Sequence, residues 1–181
     1  MGLFSRLRSR AELPPPITAA LELAKGERVL AFGVDENTGG YVLATTFALV
    51  VVPSNAEPSN PERTVRRPWL FVDAGSWEPD TATLTVTWTD GGRAGQWSFR
   101  DQPTLLPETV RERVQASVVI GTRLNLGDRR TGRVVICQDF ETRGLIAQTI
   151  LGRHTRADDP EVQAHVEAAL AHLRDQVGLP L

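Results

Sequence analysis

One cysteine, one lysine and no apolar run of membrane-crossing length set the first limits on this chain of 181 residues. The single cysteine, Cys137, excludes an intramolecular disulfide, and its place in the apolar run V-V-I-C predicts a buried, inert thiol. No stretch reaches the ~18 consecutive apolar residues that a span requires. The N-terminus, M-G-L-F-S-R-L-R-S-R, lacks the hydrophobic region of a secretory signal, and Arg6 stands where the myristoylation pattern needs Ser or Thr. A cytoplasmic location is the resulting expectation. The chain also lacks the basic excess of a general nucleic-acid binder: its formal net charge is -2 and its pI about 5.9. Lys25 is the only lysine among 20 basic residues, so 19 are arginine. We attribute that bias to a GC-rich bacterial genome rather than to function.

Catalytic signatures are equally scarce. There is no G-x-S-x-G, and Cys137 has no positive helix terminus beside it to form a thiolate. The glycine-bearing stretches Asn37–Gly40 and Asp90–Gly92 lack the lysine and following helix of a phosphate-binding loop, and read as turns. Glu36, Asp73 and Glu78 read as charges at strand ends. His165 and His172 are two helical turns apart, too far for one metal ion, and His154 with Asp158 and Asp159 has no second His or Cys nearby. No catalytic, cofactor-binding or metal-ligating residue is assigned, and no cofactor.

What is present is strand and helix patterning in a chain of ordinary globular composition, 41% hydrophobic and 23% charged. Residues 1–13 form a tail with Leu3, Phe4 and Leu7 beside Arg6, Arg8 and Arg10, closed by Pro14-Pro15-Pro16. Ile17, Ala20, Leu21 and Ala24 then recur at helical spacing up to Gly26. Glu27–Val34 reads as a strand. Tyr41–Val52 is too long and too apolar for one exposed strand, so a reversal near Thr46-Phe47 splits it into two buried ones. Residues 53–66, rich in Ser, Asn, Pro and Glu, form a loop. Arg67–Glu78 reads as one strand bent near Ala74-Gly75, with Trp69 and Phe71 on one face.

The stretch 82–100 is the strongest pattern. Leu84, Val86 and Trp88 alternate with threonines, and Trp97 and Phe99 alternate with polar residues beyond a glycine turn. A two-residue tip at Gly92-Arg93 would set Trp88 opposite Trp97 and Val86 opposite Phe99. A helix follows over 106–118, from the four-residue spacing of Leu106, Val110, Val114 and Val118. Val118–Leu126 reads either as a strand or, at its start, as continued helix. Arg133–Phe140 and Leu145–Leu151 form a second hairpin. Asp159, Pro160 and Glu161 open a long final helix with the stripe Val162, Val166, Ala169, Leu170, Leu173 and Val177, ended by Gly178.

The segments E-R-V-L-A-F at 27–32, V-L-A-T-T-F-A-L-V-V at 42–51, W-L-F-V-D-A-G-S-W at 69–77 and L-T-V-T-W at 84–88, followed by the helix at 106–118, together resemble the bacterial pleckstrin-homology-like domains. The resemblance covers about half the chain. It implies an α+β fold in which residues 14–118 form a small, antiparallel, partly open β-barrel capped by a helix. Residues 119–181 then add a β-hairpin and a long terminal helix packed on the same core. Phosphoinositide-binding members place basic residues around the first strand–strand loop, where this chain has Asp35, Glu36 and Asn37, a set that repels a phosphorylated headgroup.

The most basic patch beside an aromatic is Arg63, Arg66 and Arg67 with Trp69, a combination able to hold phosphate or stack on a ring. Arg129-Arg130 and Arg133 have the same character. The functional expectation is a non-catalytic interaction or scaffold module acting on a protein partner or on itself. The alternative is a peripheral membrane protein that touches anionic lipid through residues 3–10 and the Arg63–Arg67 loop.

Overall fold

Strands that follow one another along the chain pair antiparallel in every ladder among the described residues. The computed structural model describes residues 12–55, 64–127 and 129–179 and is α+β, with three antiparallel sheets and three α-helices among those residues. The first sheet runs in sequence order: β1 (Val29–Val34), β2 (Tyr41–Thr45), β3 (Ala48–Val52) and β4 (Val65–Pro68). The second holds β5 (Val72–Glu78), β6 (Thr83–Trp88) and β7 (Gly95–Ser98). The third has β9 (Gly132–Gln138) between β8 (Val118–Arg123) and β10 (Leu145–Leu151). The helices are α1 (Pro15–Ala20), α2 (Leu106–Ser117) and α3 (Pro160–Val177).

The reversal expected inside Tyr41–Val52 is present, and a threonine builds it. Thr45 Oγ1 accepts from the backbone N–H of Ala48 at 2.9 Å and of Phe47 at 3.2 Å, so the tight turn needs neither glycine nor proline. The two strands are apolar on both faces because the sheet is covered on both sides. Val42, Ala44 and Leu49 face an inner cluster with Trp69, Val72, Leu84, Val86, Phe99, Leu106 and Val110. Leu43, Ala48, Val50 and Val52 face outward onto Ile17, Ala20 and Leu21 of the α1 segment.

No backbone ladder closes the first two sheets into a barrel among the described residues. Side chains and a turn join them instead. Asp35 is 2% exposed, and its carboxylate accepts from Ser98 N–H at 2.9 Å and from the Thr38 hydroxyl at 2.7 Å. Glu36 N–H donates to the Ser98 carbonyl at 2.9 Å. The Gln102 side chain then behaves as a one-residue strand: it accepts from Val34 N–H at 2.8 Å and donates to the Val34 carbonyl at 2.5 Å. Thr104 donates to the Phe32 carbonyl at 2.8 Å. Phe99 packs on Gly33, where a Cβ would come within 2.6 Å of the ring, so glycine there admits the aromatic side chain.

Two local expectations are corrected. The segment Arg67–Glu78 is not one bent strand: a 3-10 turn, Trp69–Phe71, separates β4 from β5. That turn buries Trp69 at 1% exposure and leaves Phe71 at 40%, so they do not share a face. The hairpin register is also shifted. Leu84 pairs with Trp97 and Val86 with Gly95, not Trp88 with Trp97 and Val86 with Phe99, because residues 89–94 form a longer loop than a two-residue tip. The shift is even, so each side chain keeps its predicted face and Leu84, Val86 and Phe99 stay buried.

Helix α2 crosses β5, where Gly75 lets Val110 approach to 2.9 Å of the position a Cβ would take. It then runs without a loop into β8, since Val118 is at once the helix cap, with extended φ -84 and ψ 114, and the first strand residue. This settles the open choice at Val118 in favour of strand. The final helix matches its expected signals. Asp159 accepts from Glu161 N–H at 2.9 Å, and Gly178 closes the helix in the left-handed conformation at φ 69. Its stripe packs on Leu124, Leu126, Val134 and Ile136, giving the C-terminal sheet a core of its own. A smaller cluster of Leu70, Val135 and Cys137 bridges that sheet to the rest, with an Arg133–Asp73 ion pair beside it. Arg113 stacks over Phe140 at 4.9 Å in the same seam. Residues 3–10 of the proposed lipid-contacting tail lie outside the described residues.

Candidate functional site

Arg66 and Arg67 are neighbours on β4 and therefore point to opposite faces of it. Arg66 reaches the carboxylate of Glu27 at 2.5 Å, and that side chain is fully buried, held also by the Thr45 hydroxyl and by Ala24 N–H at 2.9 Å. Arg67 lies 5.0 Å above the Trp88 ring and pairs with Asp90 at 2.7 Å. The Arg67 hydrogen bond, with help from Gly92 N–H, holds the Asp90 carboxyl below the usual carboxylate range. Trp69 is in the core, its indole N–H donating to the Thr45 carbonyl at 2.9 Å. Arg63 lies outside the described residues. Of the four predicted residues the structure thus places three, and brings none of them together around a common hollow. Two are arginines neutralised by separate acids, and the third is a packing residue.

The other chemically capable side chains are similarly engaged. Burial pushes the Cys137 thiol above its ordinary range, only partly offset by the nearby Arg133. That makes it a poor nucleophile at neutral pH. His165 Nδ1 is 2.8 Å from the Glu161 carbonyl, and His172 Nε2 is 3.1 Å from the Gln176 amide, so both are tied along α3. No cluster of three or more His, Cys, Asp or Glu suited to a metal ion occurs among the described residues.

Two features of the C-terminal sheet remain, and both arise from register. The first is an open apolar edge. Strand β8 has a ladder partner on one side only, and its Val118 and Val119 are 41% and 48% exposed. Val118 is level with Cys137, which is level with Ile146 on β10, so an apolar row crosses the sheet and ends in Ile146 at 40% exposure.

The second is a basic end. Arg123 of β8 is level with Arg133 of β9, and Arg133 with Ile150 of β10, which puts the two arginines on one face of the sheet. They line a hollow of about 290 Å³ with Thr131, Gly132, Ile150, Leu151 and Gly152. A second hollow of about 650 Å³ is lined by Arg129 and His154, from the same two loops. Those loops are locked together: Thr131 N–H donates to Thr155 Oγ1 at 2.9 Å, Thr155 Oγ1 donates to the Thr131 carbonyl at 2.8 Å, and Gly152 N–H donates to the same carbonyl at 2.8 Å. Arg130 is turned away, into Asp159 at 3.2 Å and Glu161 at 2.8 Å.

Sequence reading missed Arg123 entirely, because its significance depends on a pairing ten residues away. Val118 and Val119 were visible only as apolar residues at an undecided boundary. No family model matches this chain, and no curated protein or solved structure matches it either.

Proposed function

We propose that this chain is a non-catalytic interaction module that works through protein contacts, with a pleckstrin-homology-like unit over residues 27–118. Supporting the domain reading are the four-plus-three strand meander, the following helix α2 and the side-chain bonds that join β1 to the end of β7. In this reading the two sheets are the halves of a partly open barrel. The first loop, whose Asp35 carboxylate is spent on Ser98 and Thr38, is a structural joint and not a headgroup site.

The single observation that carries the interaction reading is the open β8 edge with two consecutive exposed valines. An unpaired strand edge offers a row of backbone donors and acceptors to an incoming strand, and exposed β-branched side chains add apolar area to the contact. A partner protein or a second copy of the chain supplies that strand. Charge on such an edge blocks pairing while leaving the fold intact. Val119→Lys therefore abolishes the contact, read by two measurements together: chemical cross-linking of a tagged copy in its native cell, and light scattering across a concentration series. A cross-linked partner or a dimer that is present for the wild type and lost in Val119→Lys supports the reading. Identical behaviour of the two proteins in both measurements overturns it.

The peripheral-membrane alternative draws less support. Arg66 and Arg67, which it needs free, are ion-paired to Glu27 and Asp90.

A further inference from the structure

The arginine pair at the end of the C-terminal sheet is unusual electrostatically. Like charges directly opposite each other on neighbouring strands repel, and a folded chain keeps them only where something offsets the repulsion. Asp73 offsets part of it by binding Arg133 through Nη2. Arg123 has no acidic partner among the described residues, and neither has Arg129. A guanidinium carries five N–H donors, so Arg133 keeps several for a second acceptor while holding Asp73.

The hollow they line is open to solvent, and hydrogen bonds brace the loops that carry it. Its floor is Gly132 and Gly152, where added Cβ atoms would meet Leu124 and Leu151 at 3.0 Å and Thr131 Oγ1 at 2.0 Å respectively. Its rim is the locked pair of loops around Thr131 and Thr155. About 290 Å³ is near the lower end of the size range of small-molecule sites, and the second hollow is lined by Arg129 and His154 from the loops that carry Thr131 and Gly152.

We propose that this end of the sheet binds a phosphate-bearing small group, with Arg123 and Arg133 clamping one phosphate and Arg129 and His154 facing a second negative group beside it. Two planar forks projecting from one face match the several acceptor oxygens and double charge of a phosphate, whereas one carboxylate neutralises only one of them. Val118 and Val119 line neither hollow, so the site lies at the opposite end of β8 from the exposed valines. It also lies outside the pleckstrin-homology-like unit.

Isothermal titration calorimetry of the full chain with inorganic pyrophosphate tests this. Wild type binds, Arg123→Gln binds about tenfold or more weakly, as loss of a charge-assisted bond requires, and Arg111→Gln, on the exposed side of α2, binds as wild type does. Arg123→Lys, which keeps the charge and loses the fork, falls between. Without ligand, Arg123→Gln should melt at or slightly above the wild-type temperature, because no acidic partner is lost and the like-charge contact with Arg133 is relieved. Co-sedimentation with phosphatidylcholine vesicles, with and without a phosphatidylinositol phosphate, separates the sources. Arg123-dependent binding to the phosphoinositide vesicles assigns the phosphate to a lipid headgroup. Arg123-dependent binding to pyrophosphate alone assigns it to a soluble compound. Binding that is absent in both arms, or equal in wild type and Arg123→Gln, overturns the proposal.

Discussion

Glu27 shows how one side chain can organise a turn, a strand edge and a loop end together. Its carboxylate is fully buried and receives Arg66, the Thr45 hydroxyl and Ala24 N–H, so it ties the α1 segment, the β2–β3 turn and β4 to one point. A buried ion pair gains little over well-packed apolar residues, yet removing one partner strands the other in a low-dielectric setting. Arg66→Gln, which strands the fully buried Glu27 carboxylate, is therefore expected to cost about 3 kcal/mol in urea unfolding. The double variant Glu27→Met with Arg66→Met should recover most of that loss. If Arg66→Gln unfolds at the same urea concentration as wild type, the pair contributes no net stability. The same carboxylate explains why Arg66 is not available as a ligand-binding residue, a fact hidden from sequence because Glu27 and Arg66 lie 39 positions apart.

Among the elements, α2 shows what was legible and what was not. Its start, its spacing-by-four and its place after the strands can all be read from Leu106 to Val114, and the final helix is as plain, because caps and periodicity are local signals. The split of Tyr41–Val52 was legible from its excess of apolar residues. The hairpin register was not, since Asp90–Gly95 contains enough glycine for several loop lengths, and only the fit of Trp97 over Gly95 and of Phe99 on Gly33 selects one. The break at Trp69–Phe71 escaped notice because a single 3-10 turn leaves no periodicity of its own. For the basic end of the C-terminal sheet, the sequence supplied Arg129 and Arg133 but not Arg123, whose meaning is created by cross-strand register. Packing of α2 on β5 depends on Gly75, beside Val110. Gly75→Ala should overpack this contact and lower stability by about 1–3 kcal/mol, visible as an earlier midpoint in chemical denaturation with an unchanged slope. An unshifted midpoint would mean that the helix has slack over the sheet.

At the scale of the whole molecule, two cores stand side by side. One is enclosed by the first two sheets and α2; the other by the third sheet and α3. The seam between them is small: Leu70, Val135 and Cys137, with the Arg133–Asp73 pair and the Arg113–Phe140 stack. Leu70 comes from the 3-10 turn and is 3% exposed, so it is the peg of that seam. Leu70→Ala is expected to cost about 2–5 kcal/mol and to resolve calorimetric unfolding into two steps, one for each core. A single, merely lowered transition would show that the two cores remain one cooperative unit without it.

The absence of any loop between α2 and β8 then acquires a mechanical meaning. Helix and strand follow directly on one another from Leu106 to Arg123, with the helix packed on the inner cluster through Leu106 and Val110 and the strand forming the open edge. A strand docked on that edge would therefore act on a segment joined without a loop to the helix that covers the N-terminal core.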